Sequence, residues 1–234
     1  MPDALIIIRS PNDALVATPL IKRLSKDFAV HCMSDGKLVE FFKFCAKTSQ
    51  PLNIVRKPYD LVINLSPSLL CSDIIEQADS KEKLGFGRIG ENLRFFNEGA
   101  DQLYRAKIIG IPTDANYFQL LFGAANLAWQ GEGYEISYFP RNRTKKLTGI
   151  AVRDGRIKKH IAENLKVNKM WQIPFKHNLL KQLDEVNRCQ NVITDDETVM
   201  HSSLALRKKV EFISRKRVPY HIEMFKSGNF HNID

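Results

Sequence analysis

The chain opens on a short apolar run, Ala4 to Ile8, that is continuous and β-branched rather than alternating. A strand with one wet face alternates apolar and polar residues, whereas an unbroken run is buried on both faces, the mark of a parallel sheet covered by helices. The same grammar recurs. Strands are predicted at 28–33 (FAVHCM), 59–66 (YDLVINLS), 83–87 (KLGFG), 148–152 (TGIAV), 191–194 (NVIT) and 210–214 (VEFIS). Helical stretches are predicted at 14–26, with Asn12 as N-cap and Pro19 expected to kink or shorten the helix, and at 37–46, 69–78, 116–129, 159–165, 178–189 and 198–207. Strands alternating with helices imply βαβ units.

The chain has 234 residues, and domains of about 150 residues are the usual prior. The segment from Gly131 to Lys146, with glycines, Pro140 and the basic run RNRTKK, reads as an interdomain linker. The division expected is 1–140 and 141–234. The stretch from Arg88 to Gly110 reads as a long functional loop or irregular helices, and the tail from Arg215 to Asp234 as basic and aromatic with little periodicity.

Hydrophobic residues make up 44% and charged residues 26%, the balance of a globular protein; collagen-like, low-complexity and wholly disordered classes are excluded. The apolar start is too short for a membrane span, which needs about 20 residues, and lacks the form of a secretory signal. Cys32, Cys45, Cys71 and Cys189 form no C-x-x-C pair and read as small buried hydrophobes in a reducing compartment. The net charge of +9 suits an anionic partner: nucleic acid, membrane surface or phosphorylated ligand.

Three places can carry chemistry. Ser10-Pro11-Asn12-Asp13 directly follows the first strand, and ligands of open α/β sheets bind at carboxyl strand ends. Asp13 could accept a proton from a hydroxyl nucleophile; an acid in a first helical turn is equally explained by the helix dipole. The second place is TDDETVMHSS, 194–203, between a strand and a helix. Free N–H groups at a helix start suit phosphate, but three consecutive acids there suit sugar hydroxyls better. His201, one turn in, either faces that site or sits in the core. The third is the basic set Arg153, Arg156, Lys158, Lys159 and Lys169, able to offset a diphosphate. G-F-G-R-I-G, 85–90, is a weak lookalike of a nucleotide loop. P-loop, zinc and G-x-S-x-G patterns do not occur.

Together these segments resemble the heptosyltransferase-like glycosyltransferases, the GT-B enzymes that build the lipopolysaccharide core. IIIRSPNDALVATPLIKRL looks like the family's opening strand, loop and T-x-P-L helix. YDLVINL looks like its Y-D-L-V-I-D strand, and KLGFG like its R-x-G-F segment. VITDDETVMHSSLALRKKVEFI looks like its signature D-[ST]-G-x-x-H-x-x-A, which precedes a strand. Two departures stand out: Asn12 replaces the glycine before the base, and Thr198 replaces the signature glycine.

The resemblance implies two Rossmann-like α/β domains facing a cleft, the second abbreviated. Asp13 is then the catalytic base, with Ser10 and Asn12 beside the acceptor. Asp196, Thr198, Val199, Met200, His201, Lys169 and Arg153 bind the donor. The expected activity is inverting, metal-independent transfer of a sugar, heptose among the candidates, from a nucleotide sugar to a lipopolysaccharide or other surface glycan. No cofactor or metal is expected beyond the nucleotide-sugar substrate. The expected partners are that donor, a glycolipid or glycan acceptor and, peripherally, an anionic membrane surface on the cytoplasmic side. Nucleic acid is not expected, because no recognised motif or aromatic-interleaved basic stripe is present. The alternative is a catalytically degenerate GT-B-like binding protein.

Overall fold

The computed structural model describes residues 1–55, 57–145, 147–164, 170–176, 178–214 and 228–232. The chain divides into two compact units, Met1–Ser137 and Tyr138–Asp234.

In the first unit, β1 (Asp3–Ile8), α1 (Pro11–Val16), α2 (Thr18–Leu24), β2 (Ala29–Ser34), α3 (Val39–Phe42), β3 (Thr48–Pro51), β4 (Tyr59–Asn64), α4 (Leu69–Gln77), β5 (Ser80–Ile89), β6 (Asn92–Phe95) and α5 (Glu98–Tyr104) lead into a π-helix, Arg105–Ile109, and then α6 (Tyr117–Ala124). The sheet runs β3-β2-β1-β4-β5-β6. It is parallel except for β6, which returns antiparallel to β5. Ala4 through Ile8 are fully buried, as the unbroken apolar run requires. Strand order reverses direction at β1, and such a switch point is where α/β sheets bind ligands.

The second unit contains β7 (Thr148–Ala151), α7 (Gly155–Asn164), β8 (Met170–Gln172), α8 (Leu179–Asn187), β9 (Asn191–Thr194), α9 (Glu197–Ala205), β10 (Lys209–Ser214) and β11 (Gly228–Asn232). Its sheet, β11-β10-β9-β7-β8, is parallel throughout. The switch point lies between β7 and β9.

Several boundaries differ from the sequence reading. The first helix starts earlier than expected: Ser10, not Asn12, is its N-cap, because the Ser10 hydroxyl accepts from the Asp13 N–H at 3.1 Å and Pro11 fits the first turn. The single helix expected over 14–26 is two, broken at Ala17, with Pro19 in the first turn of α2. The helix expected over 37–46 shrinks to α3. Strands β3, β6, β8 and β11 lie where none was expected, as short or polar edge segments that show no apolar run. Residues of the expected linker, 131–146, bind within the unit on either side: Glu132 pairs with Arg23 at 3.0 Å, Glu135 with Lys22 at 2.8 Å, and the Glu135 N–H donates to Thr18 Oγ1 in the first, while Tyr138 Oη donates to Asp184 at 2.9 Å in the second.

Gly85 and Gly87 of GFGRIG belong to β5 and Gly90 to the turn into β6, rather than to a phosphate loop. Gly85 has φ +85°, and a Cβ there would sit 2.0 Å from the Asn64 carbonyl oxygen. Only glycine lets β4 approach so closely. The Asn64 amide nitrogen then donates to the Phe86 carbonyl at 2.8 Å, fastening the two strands.

Candidate active site

Asp13 occupies the first turn of α1, just beyond the carboxyl end of the switch strand β1. It is 3% exposed. A buried carboxylate without a partner costs several kcal/mol, so its surroundings must supply one. Lys107 Nζ and Tyr117 Oη both donate to Asp13 Oδ1, and Lys107 Nζ also donates to Tyr117 Oη. The ammonium lies 4.9 Å from the Tyr117 ring centroid. Among the described residues, Asp13 Oδ2 takes no hydrogen bond.

Three features bring these partners together. Gly99 in α5 meets Gly123 in α6 so closely that a Cβ on Gly99 would lie 2.0 Å from the Gly123 carbonyl oxygen. The two helices therefore cross backbone to backbone. The π-helix that follows α5 buries Ala106 and turns Lys107 inward, while Ile108 and Ile109 remain exposed. Such wide turns recur at functional sites. Gly110, left-handed at φ 80°, ends it. A capping box between Asn116 and Gln119 then starts α6 with Tyr117, which is fully buried.

At the second switch point the acids bind the protein itself. The Asp195 carboxylate accepts the N–H groups of Arg153 and Asp154 at 2.8–2.9 Å, tying the loop after β7 to the loop after β9. Asp196 caps α9 by accepting the Val199 N–H at 3.0 Å, and it pairs with Arg153 Nη2 at 2.9 Å. Arg153 lies over the Phe175 ring at 4.2 Å and keeps 65% of its side chain exposed. Asp154 caps α7 through the Arg156 N–H. Glu197 adds a further negative charge in the first turn of α9.

The structure thus groups Asp196 and Arg153 and places Thr198 half-buried at the start of α9. Val199, Met200 and His201 are fully buried in that helix, and the Met200 N–H donates to the Asp196 carbonyl. Ser10 is engaged as a cap and Asn12 is half-buried beside Asp13. Lys169 and the basic tail around Arg215 to Arg217 lie outside the described residues. Lys107 and Tyr117 were missed by sequence reasoning: they stand 94 and 104 residues from Asp13, and no motif or periodicity marks them.

Cys32, Cys71 and Cys189 are buried, and Cys45 is partly so; all are free thiols. Burial pushes Cys45 up to about 12 and Cys189 to about 11, and it raises Cys32 and Cys71, so none is a ready nucleophile. Among the described residues no helix is long and apolar enough to cross a membrane. Among them, too, no group of three or more His, Cys, Asp or Glu is placed to hold a metal ion.

No protein-family model matches the chain, and no curated protein matches it in sequence. Solved structures do match. A family 9 glycosyl transferase from Veillonella parvula aligns with 100% of this chain and 88% of its own, at TM-score 0.65 and 11% identity. Escherichia coli heptosyltransferase WaaC with ADP aligns with 99% of this chain and 93% of its own, at TM-score 0.63 and 10% identity. Escherichia coli ADP-heptose lps heptosyltransferase II aligns with 98% and 90%, at TM-score 0.60 and 8% identity. The chain therefore has the mixed α/β, Rossmann-like architecture of GT-B glycosyltransferases over its whole length.

Proposed function

We propose that this protein is a glycosyltransferase that moves a sugar, heptose among the candidates, from a nucleotide-sugar donor to a lipopolysaccharide or other surface-glycan acceptor, with inversion and without a metal ion. The observation that carries this reading is Asp13: a buried carboxylate at the carboxyl end of the switch strand, with Oδ1 held by two donors and Oδ2 unengaged among the described residues. The acceptor hydroxyl gives its proton to Oδ2 while its oxygen attacks the anomeric carbon. The bond from that carbon to the diphosphate breaks on the opposite face, and the nucleoside diphosphate leaves with the electron pair.

In this reading the first unit binds the acceptor, with Ser10 and Asn12 beside the hydroxyl. The second binds the donor through Arg153, Asp196, Thr198 and Lys169, with the buried Val199, Met200 and His201 supporting the start of α9 behind them. The solved neighbours whose names include ADP or ADP-heptose make ADP-heptose the first donor to assay. The protein would work on the cytoplasmic side, held peripherally at an anionic membrane by its basic residues, with the exposed Leu69, Leu70, Ile108 and Ile109 as apolar contacts. Salt-sensitive cosedimentation with anionic vesicles tests the attachment, and binding that ignores salt overturns it.

A second reading, a catalytically degenerate binding protein, is favoured by the Asp196 cap and Glu197 at the start of α9, whose charges oppose a diphosphate there. One experiment separates the two: thermal shift with nucleotide sugars beside a transfer assay on an extracted glycolipid acceptor. Transfer that Asp13→Asn abolishes supports the enzyme. A thermal shift without any turnover supports the binder.

A further inference from the structure

We infer that Lys107 is an anion receptor, and that an anionic group of the acceptor takes Lys107 from Asp13 on binding. This inference rests on the proposed role of Asp13 as base.

Its starting point is the geometry of the site: Asp13 carries Lys107 and Tyr117 on the same oxygen. The two donors are not equivalent. Tyr117 is fully buried within α6, so it holds Oδ1 in place whatever binds. Lys107 keeps 20% of its side chain exposed, against 5% for Asp13, and it hangs from a π-helix that is otherwise open to solvent at Ile108 and Ile109. Lysine reaches on a flexible stem and carries a compact charge with three donors. It can turn to an incoming carboxylate or phosphate without disturbing α1 or α6.

The exchange moves one positive charge from one anion to another. Before binding, Lys107 neutralises Asp13. After binding, Lys107 neutralises the acceptor's anionic group, and Asp13, still held by Tyr117, becomes neutral when it takes the proton of the reacting hydroxyl. A neutral acceptor has nothing to offer Lys107 and leaves Asp13 paired. The ion pair thus selects acceptors that carry a carboxylate or phosphate close to the reacting hydroxyl.

The binding arm of the test needs no acceptor in hand. Nitrogen NMR of the lysine ammonium groups of the full chain, with the Lys107 signal assigned by its loss in Lys107→Gln, is followed as inorganic phosphate is added. Phosphate should shift the Lys107 signal saturably. Asp13→Asn should strengthen that binding about tenfold, because a competing charge-assisted partner has been removed. A lysine held only as a structural pin would not respond in this way. Thermal melts of both variants confirm that they are folded, and Tyr117→Phe, which keeps the ring and the ion pair, should leave phosphate binding within about twofold of wild type.

The inference is overturned if phosphate leaves the Lys107 signal unchanged in Asp13→Asn, or if its affinity is equal in the two proteins. Loss of transfer in Asp13→Asn without tighter phosphate binding would refute the exchange and leave the base intact. Tighter phosphate binding with full transfer in Asp13→Asn would support the exchange and remove Asp13 from the chemistry.

Discussion

Asp13 and Asp196 stand at matching places in the two units. Each follows the carboxyl end of a central parallel strand and lies at the start of a helix. Their local sequence grammar is nearly the same, and their fates are opposite. Asp196 accepts the N–H of Val199 in its own helix and pairs with Arg153 from the neighbouring loop of its sheet. Asp13 leaves capping to Ser10 and engages Lys107 and Tyr117, which come from far along the chain. The helix dipole favours an acid at either place, so it cannot tell a cap from a reactive group. What separates them is which side chains the tertiary fold delivers. Asp196 serves its helix, whereas Asp13 is held for something outside it.

If that contrast is right, the largest effect belongs to Asp13→Asn. The amide keeps the shape and loses the basicity, so transfer should fall by about 10² to 10⁴, while a thermal-shift titration shows donor binding unchanged. Transfer near the wild-type rate would erase the distinction between the two acids.

Gly99→Ala asks whether the helix crossing supplies the difference. Its Cβ would meet the Gly123 carbonyl oxygen at 2.0 Å, so α5 and α6 must part. Overpacking of this kind costs about 1–3 kcal/mol, read as a lower denaturant midpoint. Phosphate binding at Lys107 should also weaken, as its position follows α5. A stable variant with an unaltered Lys107 signal would place the origin of the site elsewhere.

Asp196→Ala sharpens the comparison from the other side. Loss of an N-cap costs about 1 kcal/mol, and the exposed partner Arg153 adds little. Urea unfolding should show a reduced midpoint with unchanged slope. In the donor-binding reading nucleotide-sugar affinity falls as well; a reduced midpoint with unchanged affinity would leave Asp196 a helix cap alone.

The smallest effect concerns a third acid. Asp3, at the opposite end of β1 from Asp13, accepts from His31 at 2.8 Å and Lys57 at 3.1 Å. The His31 hydrogen bond first, then that of Lys57, lowers its carboxyl from 3.8 to about 2. A lowered folded-state value means stability that is complete above the unfolded value and is lost as pH falls from 3.8 toward about 2. Acid titration of wild type and Asp3→Asn should give stability curves that run parallel near neutrality and converge through that window. Curves that stay parallel down to pH about 2 would show that Asp3 is unpaired in solution.

The alternation of unbroken apolar runs and helical stretches sufficed for the architecture, because burial on both faces leaves a distinct local pattern and βαβ units follow from it. Asp13 was visible for the same reason: the position after a first parallel strand is special whatever the rest of the chain does. The edge strands β3, β6, β8 and β11 were not visible, since a short strand paired along one side needs no apolar run. Ser10 was passed over as a cap for Asn12, both being good capping residues two positions apart.

What sequence alone determined, then, is whatever depends on neighbours in the chain: strand burial, the first helical turn, the place of each acid on its unit. Only the tertiary structure decided that Lys107 and Tyr117 meet Asp13. That meeting depends on Gly99 letting α5 and α6 touch and on one wide helical turn aiming a lysine inward. Contacts between residues about a hundred positions apart leave no period in a sequence, because they are set by how packed elements cross and not by spacing along the chain.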